Sequence, residues 1–394
     1  MDRAPRVLFF THSLSDVDGV GRVACSILRH LVPECDRAEL FIGRGHRGFS
    51  ESMPNDERLT VFPTLATGHF PFMPLTRLLW VLLLGLPEMI RAARRADLVH
   101  SLADYPMGLL AVIAARVARR PVLIWGHGTY SVTPWSQPVH CRLIAWMFRR
   151  ANLFTVGSHY ALDRLREVAD PGPIEVVPYG VEPDAFAEDK TQGEEPEVPT
   201  PFLLCIGEVK ERKGYGTSLP AFLEAWSRRP DIHFVIVGRY SDADPYFRSL
   251  KEDVVAAGAT EHVHFLGHVS EGRKVALLRS CQAFVLTSMT SREGAFEAFG
   301  LVYLEAGAAG RPVIGVQDSG AEDAIVDGEN GFLLDRDDPG GVAGAIDRLF
   351  EDRDLADRMG QAGLHLAQGR TWADAASQIG EIYTSLLETD RGAR

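Results

Sequence analysis

The chain has 394 residues, 46% hydrophobic and 24% charged, with a formal net charge of −12. Its length exceeds what one hydrophobic core usually serves, so two domains are expected. The acidic balance argues against a nonspecific nucleic-acid binder, while leaving room for local basic pockets that take anionic substrates.

The first apolar run, RVLFFTH at Arg6–His12, reads as a buried strand and is too short for a signal peptide. A helix follows over about Gly21–Leu31, then a second strand, AELFIG, at Ala38–Gly43. The stretch Gly43–Phe72 reads as variable loops with no recognisable code. LLWVLLLGL at Leu78–Leu86 is the most apolar run in the chain and far too short to span a bilayer. Its first reading is a core helix, ended by ARRADLVH; its second is an apolar lip that touches a membrane or a lipid-linked substrate. Further strands are expected at Asp97–Ser101, Pro121–Gly128, Leu153–Ser158 and Ile174–Gly180, with helices over MGLLAVIAARVAR and YALDRLREV. Strands alternating with helices imply a parallel sheet covered on both faces.

The segment EDKTQGEEPEVPTP, Glu188–Pro201, is polar, acidic and proline-bearing, the composition of a linker. Beyond it the alternation begins again, with apolar runs at Phe202–Gly207, His233–Gly238, Val263–Gly267, Ala283–Ser288, Pro312–Val316 and Gly331–Leu334. The chain therefore reads as two doubly wound α/β domains in tandem. Ligands of such sheets sit beyond the strand C-termini, which makes a cleft between the domains the expected site. The terminal run TWADAASQIGEIYTSLLE reads as an amphipathic helix. Five scattered cysteines, Cys25, Cys35, Cys141, Cys205 and Cys281, never form a CxxC pair, which argues against a disulfide framework or zinc site and suits a reducing cytoplasm.

Several short segments carry chemistry. GVGRVA, Gly19–Ala24, matches a dinucleotide fingerprint in spacing, but residues intervene after the first strand and no acidic residue ends the second, so a nicotinamide site is rejected. What survives is a glycine loop, Gly19 and Gly21, whose N–H groups can meet an anion or a sugar oxygen. GEVKERKG, Gly207–Gly214, crowds Lys210, Arg212 and Lys213 into a loop directly after a strand, where they can neutralise a diphosphate. His127, in HGTYS, stands between a strand end and a glycine, placed to bond a sugar or stabilise developing charge. DAD, Asp242–Asp244, has the look of a metal motif, yet beside Pro245 and a helical segment it reads as a helix cap. No Walker A sequence, HExxH or GxSxG elbow occurs. In FEAFGLVYLEAGAAGRP, Phe296–Pro312, Glu297 falls in a loop and Glu305 about one turn into the following helix. The helix N-terminus near Gly300–Val302 lies between them and suits phosphate. Burying either carboxylate without a partner is costly, so both need a ligand, a dipole or a cation.

The run FEAFGLVYLEAGAAGRPVIG resembles the E-x7-E segment of the retaining family 4 glycosyltransferases (glycosyl transferases group 1), which have the GT-B fold. DGVGR, HGTYS, VVPYGVEPDAF, GEVKERKG and DGENGFLL resemble other segments of that family in the expected order along nearly the whole chain. The resemblance implies two Rossmann-like domains facing a cleft: an acceptor-binding domain over residues 1–184, a linker over 185–200, a nucleotide-sugar domain over 201–370, and a C-terminal helix over 371–394 that crosses back. It implies that Glu297 contacts donor sugar hydroxyls, that Glu305 holds the ribose, and that Lys213 and Arg212 bind the diphosphate. The backbone around Phe299, Gly300 and Leu301 would support sugar or phosphate, and His127 would lie beside the reacting sugar. Three positions depart from the family pattern: Glu208 replaces a phosphate-loop arginine, Tyr179 stands in PYG where PNG is common, and Asp18 replaces a glycine.

The expected reaction moves a sugar from a UDP- or GDP-linked donor to an acceptor hydroxyl with retention, without a metal or other cofactor. Glycan, lipopolysaccharide or glycolipid synthesis is the expected setting. The expected location is the cytoplasm, with contact to the cytoplasmic membrane face admitted, and the acceptor is a glycan or lipid-linked sugar; no nucleic acid is expected. A disaccharide phosphorylase and a noncatalytic sugar-nucleotide binder are the alternatives. Donor sugar, base, acceptor and oligomeric state are not written in the sequence.

Overall fold

The computed structural model describes residues 3–15, 19–43, 56–64, 74–191, 193–291 and 294–393. The chain divides into two compact units: Met1–Tyr179 with Trp372–Arg394, and Gly180–Thr371.

Unit 1 is built in the order β1 (Arg6–Thr11), α1 (Gly19–Leu31), β2 (Arg37–Gly43), β3 (Leu59–Thr64), α2 (Leu75–Arg95), β4 (Leu98–Ser101), α3 (Met107–Ala118), β5 (Val122–Gly126), α4 (Thr129–Val132), α5 (Pro138–Arg150), β6 (Leu153–Val156), α6 (His159–Val168) and β7 (Ile174–Val176). Its seven strands are all parallel, in the order β3-β2-β1-β4-β5-β6-β7. Helices cover the sheet, so the central strands are apolar on both faces: Val7–Phe10 and Val122–Trp125 are buried without interruption. β3 falls inside a stretch that reads as loop from sequence. Pro63 interrupts its run and removes one ladder donor, which a sheet tolerates because β3 is the edge strand. The rest of that loop reading, residues 44–55 and 65–73, lies outside the described residues, as does Asp18.

α2 contains the LLWVLLLGL run. Leu78, Val81 and Met89 are buried, yet Leu79, Trp80, Leu83 and Leu84 are exposed. The core-helix reading therefore describes one side only. A continuous apolar run turns 100° per residue, so its leucines occupy every side of the helix.

Unit 2 runs β8 (Phe202–Ile206), α7 (Tyr215–Arg228), β9 (His233–Val237), α8 (Pro245–Ala256), β10 (Val263–Gly267), α9 (Glu271–Ser280), β11 (Ala283–Val285), α10 (Leu301–Ala308), β12 (Val313–Val316), β13 (Gly331–Leu334), α11 (Pro339–Glu351) and α12 (Arg353–Gln368). Its six parallel strands lie in the order β10-β9-β8-β11-β12-β13, the same winding as unit 1. Residues 185–200, which read as a linker, lie on this unit: Phe186 is buried, Glu194 accepts from Ser270 Oγ at 2.6 Å, and Glu197 pairs with Arg273 at 3.5 Å. The final helix, α13 (Trp372–Ala393), belongs to unit 1, where it packs on α1 and its Tyr383 hydroxyl meets His100 Nδ1 at 2.6 Å.

Strand order reverses direction of growth between β1 and β4 in unit 1 and between β8 and β11 in unit 2. At such a point neighbouring loops diverge and leave a crevice at the strand C-termini. In unit 2 the loops on either side are Gly207–Gly214 and 286–300, the two segments that the sequence marks as chemical.

Candidate active site

The loop after β8 turns through a short 3-10 stretch, Glu211–Lys213, and enters α7 at Gly214. Gly214 has φ of 73°, and a Cβ there would lie 1.6 Å from the Thr287 carbonyl oxygen. Only glycine fits both constraints. Thr287 Oγ1 donates to the Gly214 carbonyl at 2.6 Å and Met289 N donates to the Arg212 carbonyl at 2.9 Å. These contacts bind the cationic loop to the chain leaving β11.

That juncture brings Glu297 to the cations. Lys213 Nζ lies 2.5 Å and Arg212 Nη1 3.1 Å from the same carboxylate oxygen, Oε2. The Lys213 side chain is 11% exposed and that of Glu297 16%. Burial pushes the Glu297 carboxyl up, but Lys213 first and Arg212 second outweigh it and hold the group below its ordinary value. The cluster carries two positive charges against one negative, so it retains an excess cation for an anionic ligand. Lys210 is not part of it; its ammonium pairs with Glu208 at 2.9 Å on an exposed part of the loop.

α10 starts directly beyond. Gly300 caps it with φ of 78°, Leu301 is its first residue, and Phe299 is buried. The chain before the cap is held by Gly320, whose N–H donates to the Glu297 carbonyl at 3.0 Å. Glu305 lies in the second turn, 7% exposed. Lys274 on α9, 5% exposed, places Nζ 3.4 Å from Glu305 Oε1 and 2.7 Å from Glu271. Each of the two carboxylates is thus answered by a buried or part-buried cation from a distant segment. Lys274 was invisible as a site residue. Its signal is a lysine at a core position of an otherwise apolar helical run, KVALL.

Gly19, Gly21 and His127 are in unit 1. Gly19 opens α1, and Gly21 lies so close to the preceding loop that a Cβ would meet Ser15 N and O at 2.6 Å. His127 follows β5 and is buried. Its Nε2 lies 2.8 Å from the Leu102 carbonyl and its Nδ1 2.7 Å from the Tyr179 hydroxyl. A carbonyl only accepts, so Nε2 carries a hydrogen; in the neutral imidazole Nδ1 then accepts from Tyr179. Asp104 Oδ2 accepts from His127 N at 3.0 Å and from Ser131 Oγ at 2.5 Å. Burial drives the Asp104 carboxyl up, against the pull of His127 and Ser131. Tyr179 and Asp104 carry no motif of their own; the departure of PYG from PNG was the available sign of Tyr179.

Asp244 caps α8, accepting from Tyr246 N at 2.9 Å. Among the described residues no group of three or more His, Cys, Asp or Glu side chains is arranged to hold a metal ion.

Two doubly wound units in tandem define the GT-B fold. Solved structures share it: Anabaena HepE in complex with UDP and glucose, with a TM-score of 0.76 at 20% identity, covering 97% of this chain and 100% of that one. A sucrose-phosphate synthase from Thermosynechococcus elongatus has a TM-score of 0.75 at 19% identity, covering 98% and 100%. The profile of the glycosyl transferases group 1 matches residues 187–365, and that of glycosyltransferase family 4 matches residues 17–185. The chain belongs to this family of glycosyltransferases. It is 28% identical over 322 residues to a GDP-mannose-dependent alpha-(1-6)-phosphatidylinositol monomannoside mannosyltransferase of Mycolicibacterium smegmatis, covering 77% of this chain and 83% of that one. It is 28% identical over 224 residues to a D-inositol 3-phosphate glycosyltransferase of Corynebacterium diphtheriae, covering 55% and 51%.

Proposed function

We propose that this glycosyltransferase moves a sugar from a nucleoside diphosphate to an acceptor hydroxyl with retention at the anomeric carbon and without a metal. The observation that carries the reading is the Arg212–Lys213–Glu297 cluster beside the N-terminus of α10. The barrier to transfer is charge separation between an oxocarbenium-like sugar and a diphosphate leaving group. Lys213, Arg212 and the first N–H groups of α10 stabilise the leaving charge where it develops. Glu297 accepts from donor sugar hydroxyls while its cations keep it ionised. Glu305, held by Lys274, accepts from the ribose. The backbone at Phe299, Gly300 and Leu301 supports sugar or phosphate. His127 stands beside the reacting sugar, and the acceptor hydroxyl attacks from the face the diphosphate leaves, with the leaving phosphate taking its proton.

Relatives named for GDP-mannose and phosphatidylinositol mannosides make GDP-mannose the first donor to test and a glycolipid the first acceptor. A thermal-shift screen of GDP-mannose, UDP-glucose and UDP-N-acetylglucosamine selects the donor. NMR of the product from the best donor then reads anomeric configuration. Raised melting with one donor, nucleotide release and a retained configuration are expected. An inverted product overturns retention, activity abolished by a chelator overturns metal independence, and binding without nucleotide release overturns transfer.

A further inference from the structure

α2 has 21 residues and is about 32 Å long. Its inward side is buried through Leu78, Val81, Met89, Ala92 and Ala93. Its outward side carries Leu79, Trp80, Leu83 and Leu84, which are 58%, 61%, 69% and 61% exposed. The spacing i, i+1, i+4, i+5 sets these four on one stripe. Among the described residues every exposed leucine and every exposed tryptophan lies on it. An apolar patch of this kind marks an interaction surface.

The same outward side changes character toward the C-terminus. Arg91 and Arg94 are exposed there, seven and ten residues beyond Leu84 and so about 10 and 15 Å further along the axis. Between Pro74 and Asn152 the chain has ten arginines and three carboxylates, against a net charge of −12 for the whole. α2 packs on α3, and α3 on α5, so this arginine-rich stretch forms one helical layer. Arg116, Arg142, Arg149 and Arg150 are exposed on it.

The geometry points to α2 as a docking face for a bilayer that contains anionic lipid, with the leucine–tryptophan stripe in the acyl boundary and the arginines at the phosphates. Cations on an acidic protein select a negative surface, and a tryptophan at the edge of an apolar stripe suits the interface. No helix of the described residues is long and apolar enough to cross a membrane, so the contact is peripheral. The orientation is useful. Arg95, in the last turn of α2, pairs with Glu39 near the start of β2 at 2.8 Å, so the helix runs antiparallel to the strands. Its apolar first turns therefore lie toward the strand C-termini, the edge on which Gly19 and His127 stand. This deepens the proposed function by naming a membrane as the source of the acceptor, and rests on that reading for its purpose.

The test is flotation of the full chain with vesicles of phosphatidylcholine alone or mixed with phosphatidylglycerol, free of donor and acceptor. The chain is expected to float with the mixed vesicles, less so as salt rises, with a blue-shifted tryptophan emission that Trp80→Phe diminishes. Leu83→Glu with Leu84→Glu weakens binding about tenfold or more, and Arg91→Glu with Arg94→Glu removes the preference for phosphatidylglycerol. Donor-only nucleotide release, measured on the same variants, stays at the wild-type rate and reports an intact fold. Flotation of neither vesicle type, or equal flotation after the leucine substitutions, overturns the proposal. So does a concentration-dependent oligomer that Leu83→Glu disperses, which assigns the stripe to a second copy. Vesicle binding without transfer to any acceptor leaves the surface standing and overturns the functional reading instead.

Discussion

In unit 2 the candidate site is charged: Glu297 shares one oxygen between Lys213 and Arg212, and Glu305 faces Lys274. In unit 1 the corresponding residues are tied by hydrogen bonds: His127 is held between a carbonyl and the Tyr179 hydroxyl, and its backbone N–H reaches a buried Asp104 whose carboxyl burial drives up. The two arrangements differ in how they respond to a ligand. Buried charges in excess cation invite an anion, whereas side chains cross-linked by hydrogen bonds hold a shape. On the proposed reading, charge stabilisation belongs to unit 2 and positioning to unit 1.

The sharpest way to break that contrast is Lys213→Ala. It leaves Glu297 with Arg212 alone and removes a leaving-group cation; turnover is expected to fall about 100- to 1000-fold. Steady-state rates of nucleotide release check it, and a rate within threefold of wild type ends the phosphate role. Titration separates the units next. Burial first, and His127 second, hold the His100 imidazole down to about 3. The unfolded chain takes a proton near pH 6.5 that the folded chain refuses, so stability falls as pH drops from about 6.5 toward 3, by up to about 1.4 kcal/mol per pH unit. Glu297 acts lower: its depressed carboxyl adds stability above the ordinary carboxylate range, lost only as pH falls through its folded value. Denaturant unfolding at pH 7, 6 and 5 is expected to show the loss, and His100→Gln to flatten it. His140 in unit 1 and His233 and His264 in unit 2 are also held down by burial and shift in the same direction, so the variant isolates the His100 share.

Tyr179→Phe is a smaller perturbation, removing the hydroxyl that bonds His127 Nδ1. A loss of about 1–3 kcal/mol is expected, seen as a lower melting temperature with donor-only nucleotide release unchanged. An equal loss of nucleotide release would give unit 1 a share in donor chemistry. The smallest effect is expected from Asp244→Ala. It removes a cap worth about 1 kcal/mol and leaves the response to chelator and divalent ions unaltered. A change in metal response would return the DAD segment to the chemistry.

The strands were legible because parallel sheets covered on both faces need continuous apolar runs, as in VLFF and VLIW. β3 was not, because a proline in an edge strand looks like a loop until the edge is known. Glu297, Arg212 and Lys213 stood out because each sits in a short polar segment between apolar ones, and Glu305 because it is the one charged residue of the apolar helix α10. Lys274 and Asp104 did not, because a buried charged group is recognised by what it touches. Glu305 is 31 residues from Lys274, and His127 is 23 residues from Asp104.

By itself the sequence determined the alternation of apolar strands and helices, hence two doubly wound units, and the positions of the polar loops at strand ends. These follow from local periodicity and short-range spacing. Which cation meets which carboxylate was decided only in three dimensions: Arg212 rather than Lys210 joins Lys213 on Glu297. The two sides of α2 were separated in the same way, since an apolar run does not say which leucines a neighbour will cover. Both outcomes depend on long-range packing, because the groups that satisfy or bury a side chain come from elsewhere in the chain.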